Sequence, residues 1–400
     1  MTRKRHVVFI QHGDYGEAFR NFERGGAETY AAQRHSVELV AGLTKEFEVT
    51  VIALPAAVGE EILENGVRVI GMGFRGGARS LPLIRTLERL RPTDLVLRAP
   101  LPAPLAWGLL RARNVLPIYA DSFQSGKLSR RARQALLVAL LNQKKIQLVS
   151  NHNVPAAKDL VRIGVKAEKV VPWDWPSARK PDDHPAKDPP SGGQPFSLFF
   201  AGAVTRDKGV PDILQAIALL RSKGTDVRAS IAGSSPQLEE LKAEANQLGV
   251  DEHVQFLGRI PNSDVSRLMR EHSAVVVPSR LSYPEGLPLV IYEGLCSRSP
   301  VLLSRHPMFV EAFGASPGVC MFEPSSPESL AQKVEELRTD PQAYRALSQE
   351  SPLAWKKIQV PLTWGEVVTA WLDGSDESIA RLKAHALAAS SAPLPTVPAS

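Results

Sequence analysis

Short apolar runs alternate with longer amphipathic stretches along the first 176 residues of the chain. Each run is rich in valine, isoleucine or leucine and predicts a buried strand, whereas the stretches between them have helical periodicity. The predicted strands are residues 6–10, 47–54, 67–70, 94–98, 116–121, 147–150 and 169–173, and the predicted helices are 28–43, 81–90, 127–145 and 153–163. This alternation predicts a doubly wound, Rossmann-like α/β domain over residues 1–176.

The same alternation begins again after residue 195. Residues 177–195 are rich in proline, lysine, aspartate and glycine, a composition typical of a linker between domains. The strands predicted beyond it are 196–201, 228–233, 254–258, 274–277, 301–304 and 318–322, and the helices are 212–223, 236–248, 263–272 and 327–337. We therefore expect a second Rossmann-like domain over residues 196–352.

The end of the chain has a different pattern. Three tryptophans, Trp355, Trp364 and Trp371, recur within residues 353–375 and predict a pair of amphipathic helices. Residues 376–400 end in a stretch of alanine, serine and proline and are expected to be a disordered tail.

Composition narrows the functional class. The chain has 44% hydrophobic and 22% charged residues, as an ordinary globular protein does. Its net charge of +6 suits an anionic ligand or an anionic membrane surface, but no basic tract is interleaved with aromatic residues, so we expect no nucleic-acid partner. The two cysteines, Cys296 and Cys320, provide no disulfide framework.

The location of the protein is predicted from its apolar runs. The run Val7–Ile10 that follows the basic start is too short for an export signal, and residues 135–141 are too few to span a membrane. We expect a cytoplasmic protein. The predicted helix 127–145 has basic ends around an apolar middle, which fits a core helix and leaves peripheral contact with the inner face of a membrane as an alternative.

The stretch from Pro278 to Glu293 combines the features of an anion site. It follows the predicted strand 274–277, passes through a loop with two prolines and enters a helix near Pro288. Backbone N–H groups at a helix start point outward and bind phosphate well. Glu285 lies just before this helix and Glu293 about two turns inside it, so carboxylates stand beside the predicted anion site.

The Glu-x7-Glu spacing, placed between a strand that ends in Pro278-Ser279 and a strand led by Pro300-Val301, resembles family 4 of the retaining glycosyltransferases. The resemblance covers residues 195–320 well and the N-terminal half more loosely. It implies the GT-B architecture, in which two Rossmann-like domains face each other across a cleft and the last helix returns to the first domain.

The resemblance also implies a donor site for a nucleotide sugar. Lys208 would stabilise the departing diphosphate, and Arg206 would supply the cation that the family usually places at the position of Ala203. Glu285 would hold hydroxyls of the donor sugar and Glu293 those of the ribose. The other donor-binding residues implied are Gly286, Leu287, Leu289 and Val290 around the phosphate, Gly233, Arg259 and Ile260 around the nucleoside, and Gly25 and Gly26 from the N-terminal side.

An acceptor region is expected at the carboxyl ends of the strands in the first domain, where open α/β sheets bind their ligands. Arg98, Asp121 and Ser122 stand there. Many family members have a histidine near this point, where this chain has Asp121. Arg298 replaces a residue that is usually glycine in the family, and together with Ala203 and Asp121 it raises the question of activity.

These features predict a retaining glycosyltransferase that transfers a hexose to a hydroxyl of a saccharide or a lipid-linked glycan, as in lipopolysaccharide or exopolysaccharide synthesis. The donor is a substrate, and no further cofactor is implied. The chain contains no Asp-x-Asp sequence, so a metal-dependent donor site is not indicated. A sugar epimerase or phosphorylase of the same architecture and a non-catalytic nucleotide-sugar-binding protein remain alternatives.

Overall fold

The computed structural model describes residues 4–74, 79–123 and 128–389, with only the backbone of residues 128–130. The chain divides into two compact units. The first contains the residues up to Gly26, Gln33–Pro176 and the segment from Val360 onward. The second contains Ala27–Ala32 and Ser177–Gln359.

The first unit is built around a sheet in the order β3-β4-β2-β1-β5-β6-β7-β8. Its strands are β1 His6–Gln11, β2 Glu48–Ala53, β3 Gly59–Ile62, β4 Arg68–Gly71, β5 Asp94–Leu97, β6 Asn114–Tyr119, β7 Val149–His152 and β8 Val170–Trp173. All neighbours pair in parallel except β3, which is antiparallel to β4 at the edge. Central strands such as β1 are buried along their whole length because helices cover both faces of the sheet.

The helices of this unit differ in three respects from the prediction. They are α1 Tyr15–Glu23, α2 Gln33–Gly42, α3 Ser80–Leu90, α4 Pro102–Arg111, α5 Leu128–Leu141 and α6 Val154–Arg162. The helix predicted from residue 28 begins only at Gln33, and α1 forms where a loop was expected, because the Asp14 side chain caps it by accepting from the Glu17 amide at 3.0 Å. Helix α4 was also missed, since its prolines occupy the first turn, which needs no N–H donors.

The last part of the chain belongs to the first unit. It contains α14 Trp364–Asp373 and α15 Asp376–Lys383. Trp364 is fully buried, and its ring lies 6.4 Å from Phe9 of β1 and 5.8 Å from Trp175. The expected return of the C-terminal helix to the first domain is therefore confirmed.

Two predicted boundaries near the C-terminus were wrong. Residues 353–357 end helix α13 Pro341–Lys357 of the second unit instead of beginning a crossing helix. The tail expected from residue 376 starts with α15, which the Ser375 side chain caps and which buries Ile379 and Leu382. Residues 390–400 lie outside the described part of the chain.

The second unit has a parallel sheet in the order β11-β10-β9-β12-β13-β14. Its strands are β9 Phe196–Ala201, β10 Val227–Ala232, β11 Val254–Gly258, β12 Ala274–Val277, β13 Val301–Ser304 and β14 Cys320–Phe322. Its other helices are α7 Val210–Ser222, α8 Leu238–Gln247, α9 Asn262–Glu271, α10 Leu289–Cys296, α11 Pro307–Phe313 and α12 Pro327–Thr339. The strand order reverses between β9 and β12, which is the switch point where doubly wound folds bind ligands.

The segment predicted as a linker packs as part of the second unit. The Lys187 amide donates to Ser348 Oγ at 2.7 Å, and its ammonium contacts the carbonyl of Arg270 at 2.6 Å and that of His272. Burial lowers the pKa of Lys187 to about 8. These bonds hold residues near 187 in place instead of leaving them free between domains.

None of the helices in the described part of the chain is both long and apolar enough to cross a membrane.

Candidate functional site

The centre of the candidate site is an ion pair between Lys208 and Glu285 at the switch point of the second unit. Lys208 lies on the loop that leaves β9, and Glu285 on the loop that leaves the adjacent strand β12. The lysine ammonium contacts the Glu285 carboxylate and lies 4.2 Å from the centre of the Tyr283 ring. Both charged side chains are largely buried, with 13% and 4% of their surface exposed.

The loop of Lys208 is positioned by its backbone. Gly209 has a φ of 77°, and a Cβ atom there would lie 2.0 Å from the carbonyl oxygen of Pro278. Only glycine allows both this left-handed conformation and this close approach. The Lys208 amide also donates to Thr205 Oγ1 at 3.2 Å. The lysine is therefore placed at the end of β12 by a backbone contact that a larger residue would disrupt.

The two loops are joined by further polar contacts. The Arg280 amide donates to the Asp207 carbonyl at 2.9 Å, and Ser282 Oγ donates to the Asp207 carboxylate at 2.6 Å. The Arg280 guanidinium forms a two-pronged ion pair with Asp212 of α7, with N–O distances of 3.0 and 2.5 Å. These bonds fix the loop of Glu285 against the loop of Lys208.

Glu285 is oriented by a hydroxyl that the sequence analysis left without a role. Ser279 Oγ donates to Glu285 Oε1, the same oxygen that contacts Lys208. Ser304 Oγ of β13 in turn donates to the Ser279 carbonyl at 2.7 Å. Within the described residues, both bonds to this carboxylate end on Oε1, so Oε2 remains an acceptor for a ligand hydroxyl. The position of Ser279 two residues after the end of β12 was the signal for such a role.

Helix α10 begins at Leu289, with Pro288 as the residue before its first turn. Its first-turn amides include those of Leu289 and Val290, which have no acceptor within the helix. Gly286 and Leu287 lead into this turn, and Leu287 is buried. Because the helix starts one residue after Pro288, Glu293 lies little more than one turn inside it instead of two.

Glu293 accepts a hydrogen bond from Asn262 Nδ2 at 2.6 Å. Burial raises its pKa, an effect that the Asn262 bond and the charge of Arg179 partly oppose and the charge of Glu28 increases. Asn262 opens α9, and its amide donates to the Glu28 carbonyl at 3.1 Å. A half-buried carboxylate whose charged form is destabilised by desolvation is a common feature of functional sites.

The residues expected around the nucleoside lie at neighbouring strand ends. A Cβ atom on Gly233 would lie 1.8 Å from the Gly202 carbonyl oxygen, so this glycine permits close contact between the chains leaving β9 and β10. Arg259 Nε donates to Ser234 Oγ at 2.8 Å. Ile260 packs with Val290 against one small apolar cluster, which brings these two predicted residues together.

The structure does not bring the Arg206 guanidinium to Glu285. It pairs instead with Glu240 at 2.8 Å and with Glu244 at 2.8 Å, on helix α8. Ala203 is exposed on the same loop. Arg298 follows α10 with a φ of 63°, and its side chain lies against the Pro181 carbonyl at 3.4 Å and Asp182 at 3.9 Å.

The glycines expected to close over the donor lie in the first unit. Gly25 has a φ of 75°, and the Gly26 amide donates to the Asn21 carbonyl at 2.8 Å. A Cβ atom on Gly26 would lie 2.1 Å from Asn21 Oδ1. The two glycines therefore end helix α1 in a tight turn. The backbone conformation of this turn explains why glycine is present at both positions.

The acceptor residues predicted in the first unit occupy different environments. Arg98 Nη1 donates to Gln11 at 2.8 Å, and its guanidinium lies 4.8 Å from the Trp364 ring centre. Burial raises the pKa of Asp121, and the charge of His12 opposes this effect. Ser122 Oγ is buried and has no hydrogen-bond partner among the described residues.

Sequence reasoning missed His12 and a second buried pair at this end of the sheet. His152 Nε2 lies 2.9 Å from Asp174 Oδ1, and both side chains are buried. His12 directly follows β1, and His152 is the last residue of β7. Their position at the carboxyl ends of strands was the signal from which the sequence could have identified them.

A metal site is not evident in the part of the chain that the structure covers, since no group of three or more His, Cys, Asp or Glu side chains there could hold an ion. The thiols of Cys296 and Cys320 are free, and burial raises their pKa values to about 12 and about 11.

One segment of the chain matches a known protein family. Residues 183–353 match the family glycosyl transferases group 1. This segment, less than half of the chain, is similar to that family. The matched segment contains the Lys208–Glu285 pair, Glu293 and all of α10.

Curated relatives match this chain over part of their length. An uncharacterized glycosyltransferase of Haemophilus influenzae is 29% identical over 167 residues, 39% of this chain and 43% of its own. Glycogen synthase of Mycobacterium tuberculosis is 26% identical over 213 residues, 53% of this chain and 46% of its own. D-rhamnosyltransferase WbpZ of Pseudomonas aeruginosa is 27% identical over 167 residues, 41% of this chain and 42% of its own. The chain thus spans less than half the length of these relatives.

Solved structures resemble the chain over nearly its whole length. Anabaena HepE, in complex with UDP and glucose, has a TM-score of 0.66 at 15% identity and covers 92% of this chain and 99% of its own. WaaG, a glycosyltransferase involved in lipopolysaccharide biosynthesis, has a TM-score of 0.64 at 16% identity. The match covers 92% of this chain and 100% of the WaaG chain. At these identities the likeness shows the fold, which is GT-B as expected.

Proposed function

We propose that the chain is a retaining glycosyltransferase that transfers a hexose from a nucleotide-diphosphate sugar to a hydroxyl of a saccharide or a lipid-linked glycan. The observation that carries this proposal is the Lys208–Glu285 pair beside the start of α10. A cation, first-turn amides and a fixed carboxylate together suit a diphosphate with a sugar attached.

Lys208 stabilises the diphosphate as it departs. An ammonium group has three N–H donors, and the contact with Glu285 uses one of them. The others are available to phosphate oxygens in a site where charge interactions are strong because water is largely excluded. The amides of Leu287, Leu289 and Val290 bind the same phosphates, while Pro288 has no N–H to give.

Glu285 and Glu293 hold hydroxyls of the donor. Oε2 of Glu285 accepts from the sugar, while Lys208 and Ser279 hold Oε1. Glu293 accepts from the ribose, with Asn262 fixing its orientation. Gly233, Arg259 and Ile260 surround the nucleoside.

In the transfer, the bond between the anomeric carbon and the diphosphate oxygen breaks and a bond to the acceptor oxygen forms on the same face of the sugar. The acceptor proton passes to the departing phosphate. No side chain of this chain is required as a nucleophile. Arg98, Asp121 and Ser122 bind the acceptor, and the unpartnered hydroxyl of Ser122 supports that role.

The experiment uses UDP-glucose first, because HepE has been solved with that compound. UDP release and the anomeric configuration of the product are followed by proton NMR for the unaltered chain and for Lys208→Ala, with a panel of saccharide and lipid-linked acceptors. Transfer with retention supports the proposal. Binding of every nucleotide sugar without turnover would favour a non-catalytic protein, and an isomerised or phosphorolysed sugar would favour the epimerase or phosphorylase alternative.

Peripheral contact with a membrane is a second part of the proposal. Helix α5 exposes Arg131 and Arg133 together with Leu136, a combination of cations and apolar surface that suits anionic lipid. Sedimentation with anionic and with neutral vesicles tests it. Equal binding to both, or to neither, counts against contact through this helix.

A further inference from the structure

A basic groove lies in the first unit at the end of the sheet where β7 and β8 begin. Its volume is about 610 Å³, and its walls come from the chain after α5, the turn before β8 and the end of α15. Ligands of doubly wound folds bind at the opposite end of the sheet, where the strands finish. The groove is therefore distinct from the region of Arg98, Asp121 and Ser122.

The charges that line the groove are nearly all positive. Four lysines and one glutamate face it: Lys144, Lys166, Lys169, Lys383 and Glu168. In the described ranges, the ammonium groups of Lys144, Lys166 and Lys383 form no ion pair. The groove thus gathers several cations and a single carboxylate.

The lysines of the groove lie close enough for their positive charges to repel one another. Lys169 Nζ donates to the carbonyls of Asn142 at 3.1 Å and Gln143 at 2.7 Å, so its position is fixed. Its pKa is lowered by burial and by the charges of Lys166 and Lys383, and Glu168 opposes this only in part. An anion in the groove would relieve this repulsion.

The C-terminal wall of the groove is anchored in the core of the first unit. Leu382 and Ala386 are buried in the same cluster as Val171 of β8, and the Leu387 amide donates to the Val170 carbonyl at 2.9 Å. The backbone of Lys383 is therefore held in place. Little ordering of the chain is needed before a ligand binds.

We propose that this groove binds a small polyanion that carries phosphate groups, at a site separate from the sugar donor. Ammonium groups bind phosphate as point charges, and a ligand with several negative charges matches the excess of lysine over glutamate. The volume lies within the range of small-molecule sites, about 300–1,000 Å³. A soluble phosphate compound and a phospholipid head group offer the same chemistry, and the test distinguishes them.

The test is acetylation footprinting of lysines in the full chain, read by mass spectrometry with and without pyrophosphate. We expect pyrophosphate to protect Lys166, Lys169 and Lys383, while exposed Lys45 remains reactive. Lys45 precedes β2, which lies five places from β8 in the sheet, about 24 Å away at about 4.8 Å per strand. Lys208 reports binding at the donor site separately, so failure there and failure here are distinguishable.

A variant assigns the protection to the groove. In Lys166→Gln with Lys383→Gln, the pyrophosphate concentration that half-protects Lys169 should rise about tenfold, because two of the surrounding cations are lost. The control Lys45→Gln with Lys223→Gln removes the same charge from exposed positions elsewhere and should leave that concentration unchanged. An equal rise in both variants would overturn the proposal.

The lipid arm uses vesicles of phosphatidylglycerol in phosphatidylcholine, with pure phosphatidylcholine as the comparison. Protection by the anionic vesicles alone assigns the site to a lipid head group, and protection by pyrophosphate assigns it to a soluble compound. Groove lysines that react equally with and without both probes would refute the site. UDP release by the groove variant should match that of the unaltered chain in either case.

Discussion

The ammonium of Lys208 contacts the carboxylate of Glu285, although 77 residues separate them in the chain. They meet because β9 and β12 are neighbours in the sheet and their following loops leave its same edge. Gly209, packed on the Pro278 carbonyl, sets the approach of the two loops. A cation and a carboxylate are thereby held together before any ligand arrives, which is the condition for electrostatic catalysis without rearrangement.

Replacing Lys208 by alanine should lower the rate of donor turnover about a hundredfold to a thousandfold, because the departing diphosphate loses its cation. The change also leaves Glu285 buried without its partner, so the free energy of unfolding should fall by about 3 kcal/mol. Turnover is measured by UDP release, and stability by urea denaturation. Lys223→Ala, an exposed lysine in the same unit, is the control. Turnover unaltered in a folded Lys208→Ala protein would exclude this role.

Arg206→Ala should lower donor turnover far less than Lys208→Ala. The guanidinium of Arg206 is 42% exposed and already pairs with Glu240 and Glu244, so it is not free to bind phosphate. Because Arg206 itself is well exposed, loss of these pairs should change the free energy of unfolding by less than about 1 kcal/mol. The same two assays check both statements. If the two variants were equally inactive, Arg206 would have to exchange its partners and act on the donor.

Glu293→Gln should raise the donor KM about tenfold or more, because a hydrogen bond to a charged acceptor becomes a neutral one. The variant should also be more stable than the unaltered chain at pH 7. Burial raises the pKa of Glu293 in the folded state, so its contribution to stability is complete below the unfolded pKa of about 4.3 and is lost as pH rises through the folded pKa.

The pH dependence provides the check on Glu293. Urea midpoints of Glu293→Gln and of the unaltered chain should coincide below about pH 4 and separate as the pH increases. Glu252→Gln, at an exposed glutamate of the same unit, should show no such separation. A gap of the same size at every pH would mean that desolvation of the carboxylate is not its cause.

Arg298→Gly should raise the free energy of unfolding by about 1 kcal/mol relative to Arg298→Ala, because a φ of 63° is unstrained only for glycine. Arg298 occupies the position after helix α10 that favours glycine. Its side chain contacts Pro181 and Asp182, neither of which belongs to the proposed donor site, so turnover should be unchanged. A loss of turnover in Arg298→Gly, with stability kept, would assign the arginine a part in activity.

The strands were predictable because most of them are buried on both faces and appear as continuous apolar runs. Strand β3 was missed since Gly59–Ile62 is exposed along its length and has no apolar pattern. Helix α4 was missed since prolines at its start resemble a loop. Patterns of hydrophobicity thus located elements that have a buried face and failed where capping or edge pairing decides the structure.

The candidate site was predictable as far as it depends on strand order. Lys208 and Glu285 follow strands that a doubly wound sheet places side by side, so their meeting could be anticipated. The partners of Arg206 could not be, because they depend on how α8 packs beside the loop. Nor could the role of Ser279, whose hydroxyl orientation follows from the geometry of two loops.

The return of α14 and α15 to the first unit determines the order in which the protein can fold during synthesis. The ribosome releases residues 177–359 before Trp364 and Trp371, which complete the core around Phe9, have been made. The second unit is therefore available to fold while the first still exposes unfilled apolar surface. A chaperone that binds nascent chains would meet its longest exposure at the N-terminal sheet, and a chain truncated before residue 364 would leave that sheet permanently open.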